Sequence, residues 1–182
     1  MVYGELWHLG IFNLVVGGVQ ARLMRMQAIS SSHLNANEIT ENIWVGGANS
    51  PELVAKQNFS VVFDLREFDD SKYVDVLKSH GIEYINVKIL DHYGASPEIL
   101  SQIVAEINHK VSEGKKILVH CNLGRGRSTL VVAAYLISQG MSPEDAKRKI
   151  REKRSVTYMN EKQRKALNDY ADAFFMSSKG NL

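Results

Sequence analysis

Only one of the 182 residues is a cysteine. No disulfide can therefore close within the chain, and a reducing, cytoplasmic compartment is the expected setting. An excess of charge of one sign is also missing: 22 Lys and Arg stand against 20 Asp and Glu, a net +2. That balance points to no nucleic acid partner and, globally, to no membrane surface. No apolar run reaches the ~20 residues that a spanning helix needs. The most apolar stretch, MVYGELWHLGIFNLVVGGVQ, is broken by Glu5, His8 and Asn13 and by four glycines up to Gly18. It lacks the basic first segment of a secretory signal. Arg22 and Arg25 follow it. A packed or frayed extension is the expected state there, and an interfacial, peripheral membrane anchor is the alternative. Repeats and low-complexity tracts are absent, so nothing suggests a repetitive scaffold.

What is present fits one globular domain with its own core: 45% of the residues are hydrophobic. Residues 1–36 read as an N-terminal extension and residues 37–178 as a single domain, expected to be monomeric. ITENIWVGG is strand-like, with Gly46 and Gly47 as a turn. SPELVAKQ reads as a short helix capped by Ser50 with Pro51 at its first position. SVVFDL is an apolar strand, SKYVDVLKSHG a helix ending at Gly81, and EYINVKIL a further strand. In SPEILSQIVAEINHKVSEG, Ile99, Ile103 and Ile107 recur every four residues with Val104 and Val111 beside them, which predicts an amphipathic helix. KKILVH is continuously apolar, as in a strand buried on both faces. The helices TLVVAAYLISQG, SPEDAKRKIREKR and NEKQRKALNDYADAFFM complete the chain. Strands alternating with helices predict an α/β fold, a mainly parallel central sheet flanked by helices.

The chemistry concentrates in KKILVH-CNLGRGR-STLVVAAYL. A buried strand delivers Cys121 to the carboxyl edge of the sheet, where open α/β sheets bind ligands. Five residues, Asn122, Leu123, Gly124, Arg125 and Gly126, separate it from Arg127. A loop that tight can wrap its N–H groups around one anion. The helix that follows points its positive end at the same place. Arg127 adds a planar fork for two phosphate oxygens. In that field the thiol is expected to ionise well below its free pKa of about 8.5. Ser128 can donate to the sulfur as it leaves, and His120 is expected to brace the loop from beneath. A lone cysteine is ordinarily an inert buried side chain; its place between a strand and a glycine-rich loop closed by arginine argues for a nucleophile. The loop does not end in Gly-Lys-Ser/Thr, so it is not a nucleotide P-loop. No metal and no cofactor are needed, since these groups neutralise the phosphate.

An acid must protonate the leaving oxygen. Asp91 follows the strand EYINVKIL and should emerge at the same sheet edge, in a loop containing Gly94 and Pro97. Ser96 is the better cap for the helix at Pro97, which leaves Asp91 free for chemistry. Asp64 and Glu67 are the runner-up carboxylates, more suited to structural or rim positions. Arg125 is either a cation for a second anionic group of the substrate or a solvated arginine paired with Asp64 or Glu67.

HCNLGRGRST resembles the signature loop of the protein-tyrosine phosphatase superfamily: His-Cys, five residues, Arg, then Ser or Thr. His120, Cys121, Gly124, Arg127 and Ser128 fill its fixed positions. An aspartate thirty residues upstream resembles the dual-specificity branch, and the similarity covers about residues 38–175. GRGRST followed by VVAAYLISQGMSPEDAKRKI is similar to the phosphatidylglycerophosphate phosphatases related to the mitochondrial tyrosine phosphatase. Asn122 and Leu123 stand where those lipid enzymes usually carry Lys-Ala, and RSVTYMNEKQ replaces a clear Arg-Pro. The resemblance implies a cysteine-phosphatase fold and hydrolysis of phosphotyrosine and phosphoserine/threonine in proteins. A phospholipid substrate, phosphatidylglycerophosphate or a phosphoinositide, is the alternative. A phosphate-binding module without turnover is a third reading, and it is disfavoured because both cysteine and acid are present.

Overall fold

In the computed structural model, which describes residues 33–68 and 70–179, five strands form one sheet. They are β1 (Ala36–Thr40), β2 (Ile43–Gly46), β3 (Val61–Asp64), β4 (Glu83–Asn86) and β5 (Ile117–His120). Their order is β1-β2-β5-β3-β4. Only β1 and β2 pair antiparallel; the other three pairs are parallel. The mainly parallel α/β sheet expected from the alternating pattern is the one observed. The apolar start of the chain, read as an extension, falls outside the described residues up to residue 32.

Six helices flank the sheet: α1 (Pro51–Ala55), α2 (Ser71–Ser79), α3 (Pro97–Ser112), α4 (Arg127–Ser138), α5 (Pro143–Lys153) and α6 (Glu161–Lys179). Ser50, Ser96 and Ser142 cap α1, α3 and α5, each accepting a backbone N–H three residues on, and each is followed by a proline. Serine supplies the missing acceptor and proline gives up an N–H that would have no partner anyway. Strand residues alternate between two cores. Val61, Phe63, Ile117 and Val119 face the larger one with residues of α3, α4 and α6. Val62 and Leu118 face the smaller one with Val54, Phe59, Tyr73 and Leu77. Helix α4 is buried from Arg127 through Ile137, and beyond its polar first turn, Arg127 to Thr129, it is apolar on nearly every side.

The structure departs from the sequence reading in three elements. ITENIWVGG is not one strand: Glu41 and Asn42 turn the chain, and β1 pairs back on β2 with Thr40 opposite Ile43. Asn is a natural turn residue. Ile99 is 42% exposed, and the buried stripe of α3 is Leu100, Ile103, Val104 and Ile107. An i, i+4 repeat drifts around a helix, whereas i, i+3, i+4, i+7 stays on one face. The strand EYINVKIL ends at Asn86, whose side-chain amide donates to the Asp64 and Arg66 carbonyls at 2.8 and 3.0 Å. Val87 N still donates to Asp64 O at 2.9 Å; beyond it the chain leaves the sheet on its way to Asp91.

Register aligns the carboxyl ends. His120 lies opposite Gly46 on one side and Asp64 on the other, and Asp64 lies opposite Asn86. A buried polar cluster forms there. The Arg66 guanidinium grips the Asp64 carboxylate with Nε at 3.0 Å to both oxygens and Nη2 at 2.7 Å, and the Tyr84 hydroxyl donates at 2.9 Å. His120 Nε2 lies 3.7 Å from the same carboxylate and 3.5 Å from the Tyr73 hydroxyl. Burial would raise the Asp64 pKa, but His120 and Arg66 outweigh it and hold the carboxyl below its ordinary range. Burial lowers the His120 pKa more than Asp64 raises it. At neutral pH the ring is therefore uncharged, and Arg66 is the cation that holds Asp64 ionised.

That cluster makes the fold acid-sensitive with a definite sign. The unfolded chain takes up a proton at His120 below about pH 6.5, while the folded chain resists it. Unfolding free energy should fall as pH drops below that value, by up to about 1.4 kcal/mol per pH unit from this residue. Loss of the Asp64 contribution follows only below its ordinary range. Urea unfolding at pH 7.5, 6.5 and 5.5 measures the slope. His120→Asn should flatten it; an unchanged slope would remove His120 from the account.

Candidate active site

The loop after β5 is held so that its carbonyls face out and its amides face in. Asn122 O accepts from Ala48 N at 2.8 Å, and Gly126 O accepts from Leu130 N at 2.8 Å. Leu123 O and Gly124 O accept from the Arg154 guanidinium at 3.3 and 2.8 Å. Arg125 O accepts from Tyr158 N and Thr129 Oγ1, both at 2.9 Å. Among the described residues, the N–H groups of residues 122–126 have no protein acceptor. With every carbonyl satisfied from outside, these donors converge on one concave point, the geometry of an anion-binding nest. Helix α4 opens directly from it, and its N-cap residue Gly126 supplies no side-chain cap. The first-turn amides are thus free for an anion.

Gly124 sits at φ 69°, and a Cβ there would collide with the backbone of Gly46 and Gly47 and with Arg154. The Gly46–Gly47 pair, read from the sequence as a turn, is instead the end of β2 and the residue after it. A Cβ on Gly47 would strike the backbone of Leu123 and the side chain of Asn35. A Cβ on Gly46 would strike the Asn35 carbonyl and the Ala36 Cβ, so the start of β1 excludes a side chain there, while the loop adds to the crowding at Gly47.

Arg127 is buried as the first residue of α4. Its Nη1 donates to the Ile89 and Leu65 carbonyls at 2.9 and 3.2 Å and approaches Glu67 at 3.5 Å. Its Nη2 lies 3.0 Å from Asp91 Oδ1, yet is buried without a hydrogen bond of proper direction. The pair is an ion pair with donor capacity left over. Cys121 Sγ lies 3.5 Å from Ser128 Oγ, which is also 3.2 Å from Gly46 O. His120 Nδ1 makes a long contact, 3.4 Å, to Cys121 O. Asp91, Cys121 and Arg127 border a cleft of about 240 Å³, lined also by His92, Arg125, Tyr158, Asn160 and Gln163.

The sequence-selected residues come together here. Asp91, Cys121, Arg127 and loop residues 122, 123, 125 and 126 line the cleft; Ser128 touches the sulfur and His120 lies beneath. Asp64 is structural, and Glu67 is a rim residue whose carboxylate accepts the Asp91 N–H at 3.1 Å. Arg125 pairs with neither: its Nε donates to Val156 O at 3.1 Å. The proposed Asp64 or Glu67 partner is wrong because both are already taken up by Arg66, Asp91 and Arg127.

Three residues were not singled out from sequence. Arg154 bonds the loop carbonyls and also the Asn35 and Asn37 side chains, each at 2.8 Å. Burial lowers its pKa, opposed by Cys121, while Arg125 adds to the lowering; an arginine stays charged regardless. Asn160 and Gln163 cap α6 reciprocally, at 3.1 and 3.0 Å. They also hold the loop that carries Asp91: Asn160 Nδ2 donates to His92 O at 2.9 Å and Gln163 Nε2 to Tyr93 O at 3.3 Å. The N-x-x-Q spacing was a legible cap signal; the second role was not.

Gly94 packs that loop against Ala166 of α6 with no room for a Cβ. On the expectation that Asp91 serves as the general acid, Gly94→Ala should lift it and slow hydrolysis of alkyl phosphates by up to about 10²-fold, the scale of a 1 Å misplacement. Adding Ala166→Gly should restore most of it. Steady-state kinetics of both variants check this; no recovery in the double variant would show that the contact does not position the loop.

Comparison with known proteins agrees with this geometry. The family described as dual specificity phosphatase, catalytic domain, matches residues 43–173. Phosphatidylglycerophosphate phosphatase PTPMT1 of Arabidopsis thaliana is 36% identical over 95 residues, 51% of this chain but only 28% of the relative. Putative tyrosine phosphatase 123R of Invertebrate iridescent virus 6 is 26% identical over 129 residues, 70% of this chain and 85% of the relative. Among solved structures, Tk-PTP in the active form has a TM-score of 0.71 at 27% identity, covering 76% of this chain and 97% of the other. PTPMT1 shares the fold, with a TM-score of 0.71 at 23% identity over 80% and 99% of the two chains. A family match across the sheet, the signature loop and the helical tail makes the chain a member of the dual-specificity phosphatase catalytic-domain family.

Proposed function

We propose that residues 37–178 form a metal-independent phosphomonoesterase that works through a phosphocysteine. The observation that carries this reading is the ring of inward amides around Cys121, completed by the buried, partly unbonded Arg127 guanidinium. Three equatorial phosphate oxygens would take those donors, which are preorganised for charge in the transition state. Cys121 Sγ then bonds to phosphorus as the bond to the leaving oxygen breaks. Asp91 gives that oxygen its proton, exchanging Arg127 for the leaving group as phosphate enters. In the second step water attacks phosphorus, passes a proton to Asp91, and the S–P bond breaks. Ser128 is within reach to donate to the departing sulfur.

For substrate, the reading is phosphotyrosine and phosphoserine/threonine of proteins, the activity named for relatives such as dual specificity protein phosphatase PHS1 of Arabidopsis thaliana. One observation favours a phospholipid monoester as the second reading. Arg125 lines the cleft, and among the described residues it has no carboxylate partner. A cation so placed suits a headgroup with a further anionic group.

Cys121→Ser should abolish aryl phosphate hydrolysis, and a chelator should leave the wild type unaffected. Asp91→Asn should slow alkyl phosphates by roughly 10²–10⁴-fold and good aryl leaving groups much less. Equal losses for both would reject the acid role. Turnover of phosphotyrosine and phosphothreonine peptides beside phosphatidylglycerophosphate and phosphoinositides decides the substrate class. A lipid preference lost in Arg125→Ala, with aryl phosphate turnover retained, would establish the lipid reading; peptide turnover far above every lipid would sink it.

A further inference from the structure

A second, smaller pocket of about 90 Å³ adjoins the cleft, and Tyr158 forms the wall between them. Its cations come from two helices: Lys147 and Arg151 of α5, and Arg164 of α6. Their placement runs against local helix preferences. Lys147 and Arg151 are four residues apart, so like charges share one helix face, which is unfavourable. Arg164 lies in the first turn of α6, where the helix dipole disfavours a cation. The neighbouring face of α5 is neutralised in the ordinary way, Arg148 pairing with Asp145 and Glu152. The pocket face is neutralised only in part: among the described residues Glu144 is the one carboxylate paired there, at 2.6 Å from Lys147. Arg151 is exposed and has no ion pair among the described residues. Arg164 spends one nitrogen on the Met159 carbonyl.

From this arrangement we infer that Lys147, Arg151 and Arg164 form a second anion subsite, which takes a phosphate-class anion lying beside the phosphate held by the Cys121 loop. The inference rests on the cleft being the site of phosphate hydrolysis and names what that site selects: substrates presented with a second phosphate. Thr129 and Tyr158 tie the two sites together, since both donate to the carbonyl of Arg125, the loop cation that faces the cleft. Positive charge thus runs from Arg127 through Arg125 to the subsite, and a compound with one phosphate can use only part of it. The second anion could belong to the same molecule, as in an inositol headgroup bearing further phosphates. It could also belong to a neighbouring anionic lipid.

Arg151 is exposed and needed for no fold contact, so it is the position to vary. The readout is the ratio of kcat/KM for soluble dioctanoyl phosphatidylinositol bisphosphate to kcat/KM for an aryl phosphate. Arg151→Glu should lower that ratio roughly tenfold or more, mostly through KM, as expected for loss of a charge-assisted contact. Arg151→Gln should be intermediate, and Arg151→Lys should restore the ratio. Sedimentation with phosphatidylserine vesicles separates the two sources. Loss of vesicle binding with an unchanged soluble ratio assigns the anion to a neighbouring lipid; a changed soluble ratio assigns it to the substrate. An unchanged ratio together with unchanged vesicle binding would overturn the subsite, as would effects that ignore the sign of the charge. Failure of the wild type to hydrolyse aryl phosphate would instead overturn the phosphatase reading beneath it.

Discussion

Everything at the cleft depends on turning five consecutive carbonyls outward. A peptide carbonyl pointed into the loop would repel an anion and waste a donor beside it. Here each carbonyl from Asn122 to Gly126 finds a donor outside the loop, in four different parts of the fold. β2 contributes through the Ala48 amide just beyond its end, α4 through Leu130 and Thr129, the chain between α5 and α6 through Tyr158, and the C-cap of α5 through Arg154. The loop is therefore shaped by contacts distant in sequence, although its own residues are contiguous. Gly124 has no room for a side chain because the β2 end and Arg154 both press on it.

The same arrangement concentrates positive charge where protein interiors ordinarily avoid it. Arg127 and Arg154 are 2% and 5% exposed. Among the described residues, Arg154 is met by carbonyls and asparagine oxygens, with no carboxylate. A buried cation without a counter-charge is unfavourable unless something anionic shares the site. The Cys121 thiolate and a bound phosphate are the anions that would balance it. Asp91 fills part of that role beside Arg127 and can yield it to phosphate. Beneath, the Asp64–Arg66 pair and neutral His120 are self-contained, so they brace β3 and β5 without adding net charge to the cleft.

The loop and the chemistry proposed for it were legible because HCNLGRGRS packs a thiol, glycine-rich backbone donors and an arginine into one stretch. Asp91 was legible for a topological reason: a parallel strand must end at the same edge as β5. The α/β alternation was likewise readable from apolar runs and serine-proline helix starts. Other features depend on contacts that periodicity does not encode. Gly46–Gly47 suggested a turn, since that is what paired glycines ordinarily mean; the crowding that requires them comes from Asn35 and Ala36 at Gly46, and from Asn35 and the distant Asn122–Leu123 segment at Gly47. Arg154 has the look of an ordinary basic residue ending a helix. The N-x-x-Q spacing of Asn160 and Gln163 is that of a helix cap and does not encode their grip on the loop that carries Asp91. Arg125 could not be assigned, because its partner is a backbone carbonyl and not one of the carboxylates nearby in the chain.

The central claim is that phosphate passes onto Cys121. Trapping it tests this most directly. In Asp91→Asn, an aryl phosphate with a good leaving group still phosphorylates the thiolate, while hydrolysis lacks its base. Acid quench during turnover, followed by mass spectrometry of the peptide containing Cys121, should show one added phosphoryl group on that residue. Release of phosphate with no adduct on Cys121 at any time, or with the phosphoryl group on another residue, would contradict the account.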